Sequence, residues 1–163
     1  MMKSRRAFWA GIIVAAATLA SLPGCGSTRR HEQVGAVPSG WPLAGAAGVV
    51  SSSFGAKRGG GFHQGIDLQA PKGTPVMATA DGTVVFAGRS SGYGRTVLID
   101  HGAGWQTRYA HLKRIRVEAG KRVVRGQVIG TVGSSGRASG PHLHYEVLRH
   151  GVPVDPRPYL DDP

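Results

Sequence analysis

Gly140-Pro141-His142-Leu143-His144-Tyr145-Glu146 sets a turn dipeptide before a run that predicts a β-strand from His142 onward. Side chains two apart on a strand share a face, so His142, His144 and Glu146 point the same way. At roughly 3.3 Å of rise per residue, the two histidine Cα atoms stand about 7 Å apart. That suits two groups aimed at one small site, such as a metal and its bound water. A His-x-His pair read alone is more readily two ordinary half-buried histidines, so the surrounding chain has to decide.

The chain has 163 residues, the length of one ordinary domain with short additions. Its 26 glycines and 10 prolines against 7% aromatics favour short strands and tight turns. No stretch sustains a capped helical period, which predicts an all-β chain. Residues 76–80 and 83–87 flank Asp81-Gly82, a strong hairpin signal. A second hairpin is expected where residues 96–100 and 105–112 flank His101-Gly102-Ala103-Gly104. Residues 122–125 and 127–132 surround Gly126, and residues 142–149 and 152–154 surround His150-Gly151. This spacing of strands and turns predicts a compact antiparallel sheet structure.

Residues 1–24 read as an export signal. Met1-Met2-Lys3-Ser4-Arg5-Arg6 is a basic start, and the apolar run that follows, residues 7–20, has 14 residues. A membrane span needs about 20, so the run has the length of a signal's apolar region. It ends at Leu22-Pro23-Gly24-Cys25, which resembles the bacterial lipobox; that resemblance implies lipidation of Cys25, the only cysteine. Ser4-Arg5-Arg6-Ala7-Phe8 also resembles the twin-arginine export motif. Residues 25–40 then read as a lipidated cysteine and flexible polar tether, and residues 41–160 as the domain. The expected location is the cell envelope, anchored to a membrane and facing periplasm or wall. Gly26, where some bacteria place an aspartate for inner-membrane retention, favours the outer membrane.

The net charge is +11; without Lys3, Arg5 and Arg6 the chain keeps 17 Lys and Arg against 9 Asp and Glu, or +8. Such a surface attracts anionic partners. Its basic residues are scattered rather than clustered with interleaved aromatics, which argues against nucleic acid.

Two further stretches carry chemistry. In Gly59-Gly60-Gly61-Phe62-His63-Gln64-Gly65-Ile66-Asp67-Leu68, the glycines and the following Ala70-Pro71-Lys72-Gly73 argue against a helix. Four residues of unbroken strand span about 13 Å. That is too far for two ligands of one zinc, whose bonds are about 2 Å. If His63 and Asp67 share a metal, the backbone bends between them, and Gly65 permits it. Arg108-Tyr109-Ala110-His111-Leu112 places a histidine near a strand end, a weak signal alone. His31 falls in the tether, while His101 and His150 sit beside glycines in turns and are expected to be solvated.

Taken in order, Trp41-Pro42-Leu43, Ser53-Phe54-Gly55, His63-Gln64-Gly65-Ile66-Asp67, Gly92-Tyr93-Gly94, Tyr109-Ala110-His111-Leu112 and Ser139-Gly140-Pro141-His142-Leu143-His144-Tyr145-Glu146 resemble the zinc metallopeptidases of the lysostaphin and LytM type, family M23, which cut peptidoglycan peptides. The resemblance implies their antiparallel sheet structure, related to the barrel-sandwich hybrid, over residues 41–160. It implies Zn2+ held by His63, Asp67 and His144, with His111 and His142 as catalytic histidines and peptidoglycan as substrate. Two imidazoles and one carboxylate leave a fourth position for water, as in catalytic zinc sites. There is no His-Glu-x-x-His helix to supply a glutamate base. His111 and His142, with near-neutral reference pKa values, are left to orient water, take its proton or hold an oxyanion. Glu146 is either a partner fixing an imidazole or an exposed strand carboxylate.

Two rivals remain. One is a silent member of the same family that binds wall polymer or activates a partner wall hydrolase; such a member would lack ligands, whereas all five site residues are present. The other is a biotinyl or lipoyl carrier, which residues 117–130 resemble. A carrier needs a lysine at a hairpin tip, and Asp81-Gly82 has none.

Overall fold

Alternating polar and apolar residues, interrupted every few positions by glycine, form short strands between Val49 and Val154; the computed structural model describes residues 35–45 and 49–160. The expected export signal, Cys25 and residues 25–34 of the expected tether lie outside the described residues. In chain order the strands are β1 (Val49–Ser52), β2 (Lys57–Arg58), β3 (Gly61–Phe62), β4 (Ile66–Gln69), β5 (Pro75–Met77), β6 (Gly82–Ser90) and β7 (Gly94–Gly102). They continue as β8 (Trp105–Leu112), β9 (Arg114–Ile115), β10 (Arg122–Val123), β11 (Val128–Thr131), β12 (His142–Arg149) and β13 (Val152–Val154). The main sheet runs β1-β4-β12-β8-β7-β6-β10 with β13 against β12; a second runs β5-β11-β9, and β2 pairs β3 alone. The strand pairs are antiparallel, as the sequence predicts.

β12 is central to the main sheet. Along one edge it pairs β8, from His144 opposite Ala110 to Arg149 opposite Trp105. Its other edge is divided between β4, which pairs residues 142–145, and β13, which pairs residues 147–149. Ile66, Leu68, Leu143, Val147, Val97 and Ile99 from the main sheet share one buried core with Val76 and Ile129 from the smaller sheet. Through that core runs a polar chain. His101 Nε2 lies 2.8 Å from Thr107 Oγ1, which lies 3.1 Å from the Tyr109 hydroxyl. Thr79 Oγ1 then links Tyr109 to the Tyr145 hydroxyl at 3.0 and 2.9 Å. Buried hydroxyls that satisfy one another avoid the cost of orphaned polar groups.

Two of the expected hairpins form. β7 and β8 join through Ala103 and Gly104, and β12 and β13 through His150 and Gly151. All four turn residues have positive φ, as a two-residue turn between twisted strands requires. The hairpin expected at Asp81-Gly82 does not form: β5 pairs β11 and β6 pairs β7, so the chain crosses between sheets there. Gly82 serves close packing instead, since a Cβ on it would lie 2.5 Å from the Asp100 carbonyl. Nor is His101 solvated. It is 1% exposed, with Nδ1–H donating to the Asp81 carbonyl at 2.8 Å. The chain before Trp41 covers this region: Ala36 N–H donates to the His101 carbonyl and Ser39 N–H to the Thr79 carbonyl. Residues 35–40, read as tether, are therefore bonded to the domain.

Candidate metal centre

Asp67 and His144 face one another as register partners of β4 and β12, which places a carboxylate and an imidazole side by side without any loop between them. His63 reaches the same point from just ahead of β4. Its N–H donates to the Ala56 carbonyl and its carbonyl accepts from Gly55 N–H, so the β2–β3 hairpin holds it in place. The chain bends from His63 to Ile66, as expected. Gly65 is needed there for space rather than for a left-handed φ, because a Cβ would lie 2.3 Å from the Tyr145 carbonyl.

His63 Nε2 is 3.1 Å from Asp67 Oδ1 and 3.0 Å from His144 Nδ1, and His144 Nδ1 is 3.0 Å from Asp67 Oδ1. Donor atoms about 2.0–2.1 Å from a tetrahedral zinc are about 3.3 Å apart, so this triangle has the size and the nitrogen-oxygen chemistry that zinc takes. All three side chains are buried. The outer atoms are engaged in ways that orient the inner ones. His63 Nδ1–H donates to the Ser53 carbonyl at 2.9 Å, His144 Nε2–H donates to Glu146 Oε1 at 2.9 Å, and Arg58 donates to Asp67 Oδ2 at 2.6 Å. Each arrangement leaves a lone pair on the atom facing the centre.

Of the two readings of Glu146, the exposed carboxylate is not what the structure contains: the residue is 0% exposed. Besides His144 it accepts from the Tyr93 hydroxyl at 2.7 Å and from Arg108 at 2.7 Å. Arg108 also lies over the Tyr93 ring, 4.8 Å from its centroid. Burial, reinforced by the Glu146 carboxylate, pushes the Tyr93 hydroxyl up to about 12, so it stays a proton donor.

His111 and His142 stand beside the triangle with their ring centroids 4.7 Å apart. His111 Nδ1–H donates to the Ser135 carbonyl at 2.7 Å, and His142 Nδ1–H to the Gly140 carbonyl at 2.9 Å. Both therefore keep Nε2 free; that of His142 is 3.7 Å from Asp67 Oδ1. His111 has φ of 60°, a left-handed conformation that costs a non-glycine residue about 1–3 kcal/mol and concentrates at working sites. It is held by its own N–H donating to the Tyr93 carbonyl. Burial pushes the His111 imidazole below its ordinary pKa, which keeps it neutral near pH 7. Burial also pushes the Asp67 carboxyl up, but the His144, His63 and Arg58 side chains gathered around it outweigh burial and hold the group far below the carboxylate range. His144 resists burial in the opposite sense: its neighbours Asp67 and Glu146 raise it above the ordinary histidine value.

The structure thus brings together all five predicted site residues. Tyr93, Arg108 and Arg58 were given no role from sequence, although Tyr93 and Arg108 lie within quoted stretches. Tyr93 had one signal, its place between two glycines, and Arg108 one, its place on the predicted strand that carries His111. Open grooves adjoin the triangle on two sides. One is edged by Tyr93, His111 and Arg137, the other by Ser51, Gln69 and Pro141, and Arg58 borders both.

Residues 61–156, more than half of the chain, match the model of peptidase family M23. The DD-carboxypeptidase/endopeptidase Mpg of Neisseria meningitidis is 54% identical over 95 residues, covering 58% of this chain and 22% of that protein. The peptidoglycan DD-endopeptidase ShyA of Vibrio cholerae is 47% identical over 93 residues, covering 57% and 22%. The chain spans about a fifth of the length of these curated relatives. Among solved structures, a zinc-containing peptidase from Vibrio cholerae superposes with a TM-score of 0.69 at 36% identity, over 74% of this chain and 39% of that one.

Proposed function

Because the chain belongs to peptidase family M23, we propose that it is a zinc-dependent endopeptidase that hydrolyses peptide bonds in peptidoglycan cross-links or stem peptides at the cell envelope. In this reading His63, Asp67 and His144 hold the metal, and His111 and His142 are the catalytic histidines. The observation that carries it is the meeting of three ligand atoms from distant parts of the chain within 3.0–3.1 Å of one another, with two more imidazoles beside them. Zinc held there supplies a Lewis acid and brings the pKa of a coordinated water toward about 7. His111 and His142, each fixed through Nδ1, offer Nε2 to take a proton from the attacking water and return it to the leaving amine. Neutral His111 suits the accepting role. Either ring, once protonated, can donate to the oxyanion that develops on the scissile carbonyl.

The names of the relatives support the substrate class, and Leu22-Pro23-Gly24-Cys25 supports anchoring by a lipid on Cys25, with the outer membrane favoured. Residues 25–34 then tether the domain. Purified zinc-loaded protein is expected to release peptide-cleaved fragments from peptidoglycan, identified by mass, to stop after chelation and to resume on zinc addition. Zinc-loaded protein that leaves peptidoglycan intact but stimulates an amidase would place the chain among activators of partner wall hydrolases instead.

A further inference from the structure

Lys72, Arg95, Lys113 and Arg114 converge on a cleft of about 340 Å³, walled by Ser134 and Ser135, with no carboxylate in its lining. Elsewhere, arginines near acidic groups pair with them, as Arg58 does with Asp67, Arg108 with Glu146 and Arg157 with Asp155. Here, among the described residues, none of the four cationic groups has a hydrogen-bonding or ionic partner. Their backbones are fixed. Arg95 lies opposite Leu112 on β7 and β8, Arg114 opposite Thr131 on β9 and β11, and Lys113 N–H donates to the Thr131 carbonyl at 2.8 Å. Lys72 projects from a turn tied down by Gly73 N–H on the Val132 carbonyl at 2.8 Å. Behind them the chain is packed without slack: a Cβ on Gly133 would lie 2.4 Å from Lys113 N, and one on Gly94 2.4 Å from Ser135. Four like charges held on a rigid frame repel one another, and a bound anion relieves that repulsion.

Ser135 joins this cleft to the metal centre. It forms part of the cleft wall, and its carbonyl accepts the Nδ1–H of His111. We propose that the cleft is a subsite for a free carboxylate of the wall peptide, engaged by Arg95 and Arg114 in charge-assisted hydrogen bonds while the scissile bond lies across the Ser135 wall at His111. The proposal rests on the peptidase reading above and adds to it a preference for acidic peptides.

The test uses the zinc-loaded full chain and two wall peptides that differ only in amidation of the carboxylates away from the scissile bond. The expected KM for the acidic peptide is about tenfold below that for its amide. In an Arg95→Gln/Arg114→Gln variant, and separately in Lys72→Ser/Lys113→Ser at two exposed positions, that ratio collapses toward one while kcat changes by less than about threefold. Variants that keep the wild-type ratio would overturn the subsite. Calorimetric titration of the full chain with an uncleavable analogue of the acidic peptide reads binding without turnover. Lost hydrolysis of every peptide by wild type would therefore count against the peptidase reading, while the titration still decides the cleft. If a phosphodiester polymer displaces the acidic peptide at lower concentration than the peptide binds, the carboxylate assignment is wrong.

Discussion

His144 lies between two carboxylates with opposite duties: Asp67 shares its inner nitrogen's neighbourhood, and Glu146 holds its outer N–H. His142, two residues earlier on the same face, touches the Gly140 carbonyl and keeps Nε2 free. His144→Ala is accordingly expected to lose zinc and activity together. His142→Ala should keep most of its zinc and lose turnover by about 10²–10⁴-fold, the usual worth of a proton-transfer group. Metal content measured beside peptidoglycan hydrolysis checks both, and a zinc-free His142→Ala protein would reverse the assignment. Glu146→Gln tests the outer layer. It keeps the strand's shape but weakens the hold on His144, so zinc affinity measured by chelator competition should fall about 10–100-fold with the β-sheet circular dichroism retained. The five residues that the structure gathers were named in the sequence through their resemblance to family motifs; spacing by itself left His63 and Asp67 about 13 Å apart in unbroken strand and gave His111 only a weak signal. Tyr93 and Arg108 were not, because what defines them is contact with Glu146 across 53 and 38 positions, which no local pattern records.

Among the elements, the β4–β12 pair carries most of the site, and its close approach depends on Gly65. A methyl there would press on the Tyr145 carbonyl at 2.3 Å and on Glu146 Cγ at 2.8 Å. Gly65→Ala is expected to cost about 1–3 kcal/mol by overpacking and to weaken zinc binding as β4 shifts. Gly140→Ala, where a Cβ meets nothing within 4 Å, is the control and should be near neutral in urea denaturation. Strand periodicity was readable for β12 and β13, whose ends coincide with turn residues of positive φ. Asp81-Gly82 carried the same turn signal and misled. There the glycine makes room for β7 and the aspartate accepts Arg125 N–H at 2.8 Å, both long-range demands that imitate a local one.

At the scale of the molecule, the buried polar chain from His101 to Tyr145 links the far side of the main sheet to the strand that bears the site. Burial lowers the His101 pKa below its ordinary value, so the unfolded chain binds a proton there that the folded chain resists. Stability from this group is complete above about pH 6.5 and declines as the pH falls from there toward the folded pKa. Denaturation of the metal-free protein at about pH 7 and about pH 5 should show a smaller acid loss in His101→Asn than in wild type, although the variant starts less stable. An equal loss would remove His101 from the account. Residues 35–40, which cover this histidine, were misread as tether because a short run of glycine, proline and small residues looks alike whether it lies free or hydrogen-bonds to a sheet. The opposition of Asp67 and His144 across β4 and β12 reaches further than chemistry. A one-residue slip between these strands would turn one ligand to the other face. Zinc held by the proposed ligands would therefore stabilise only chains whose central strands are in register.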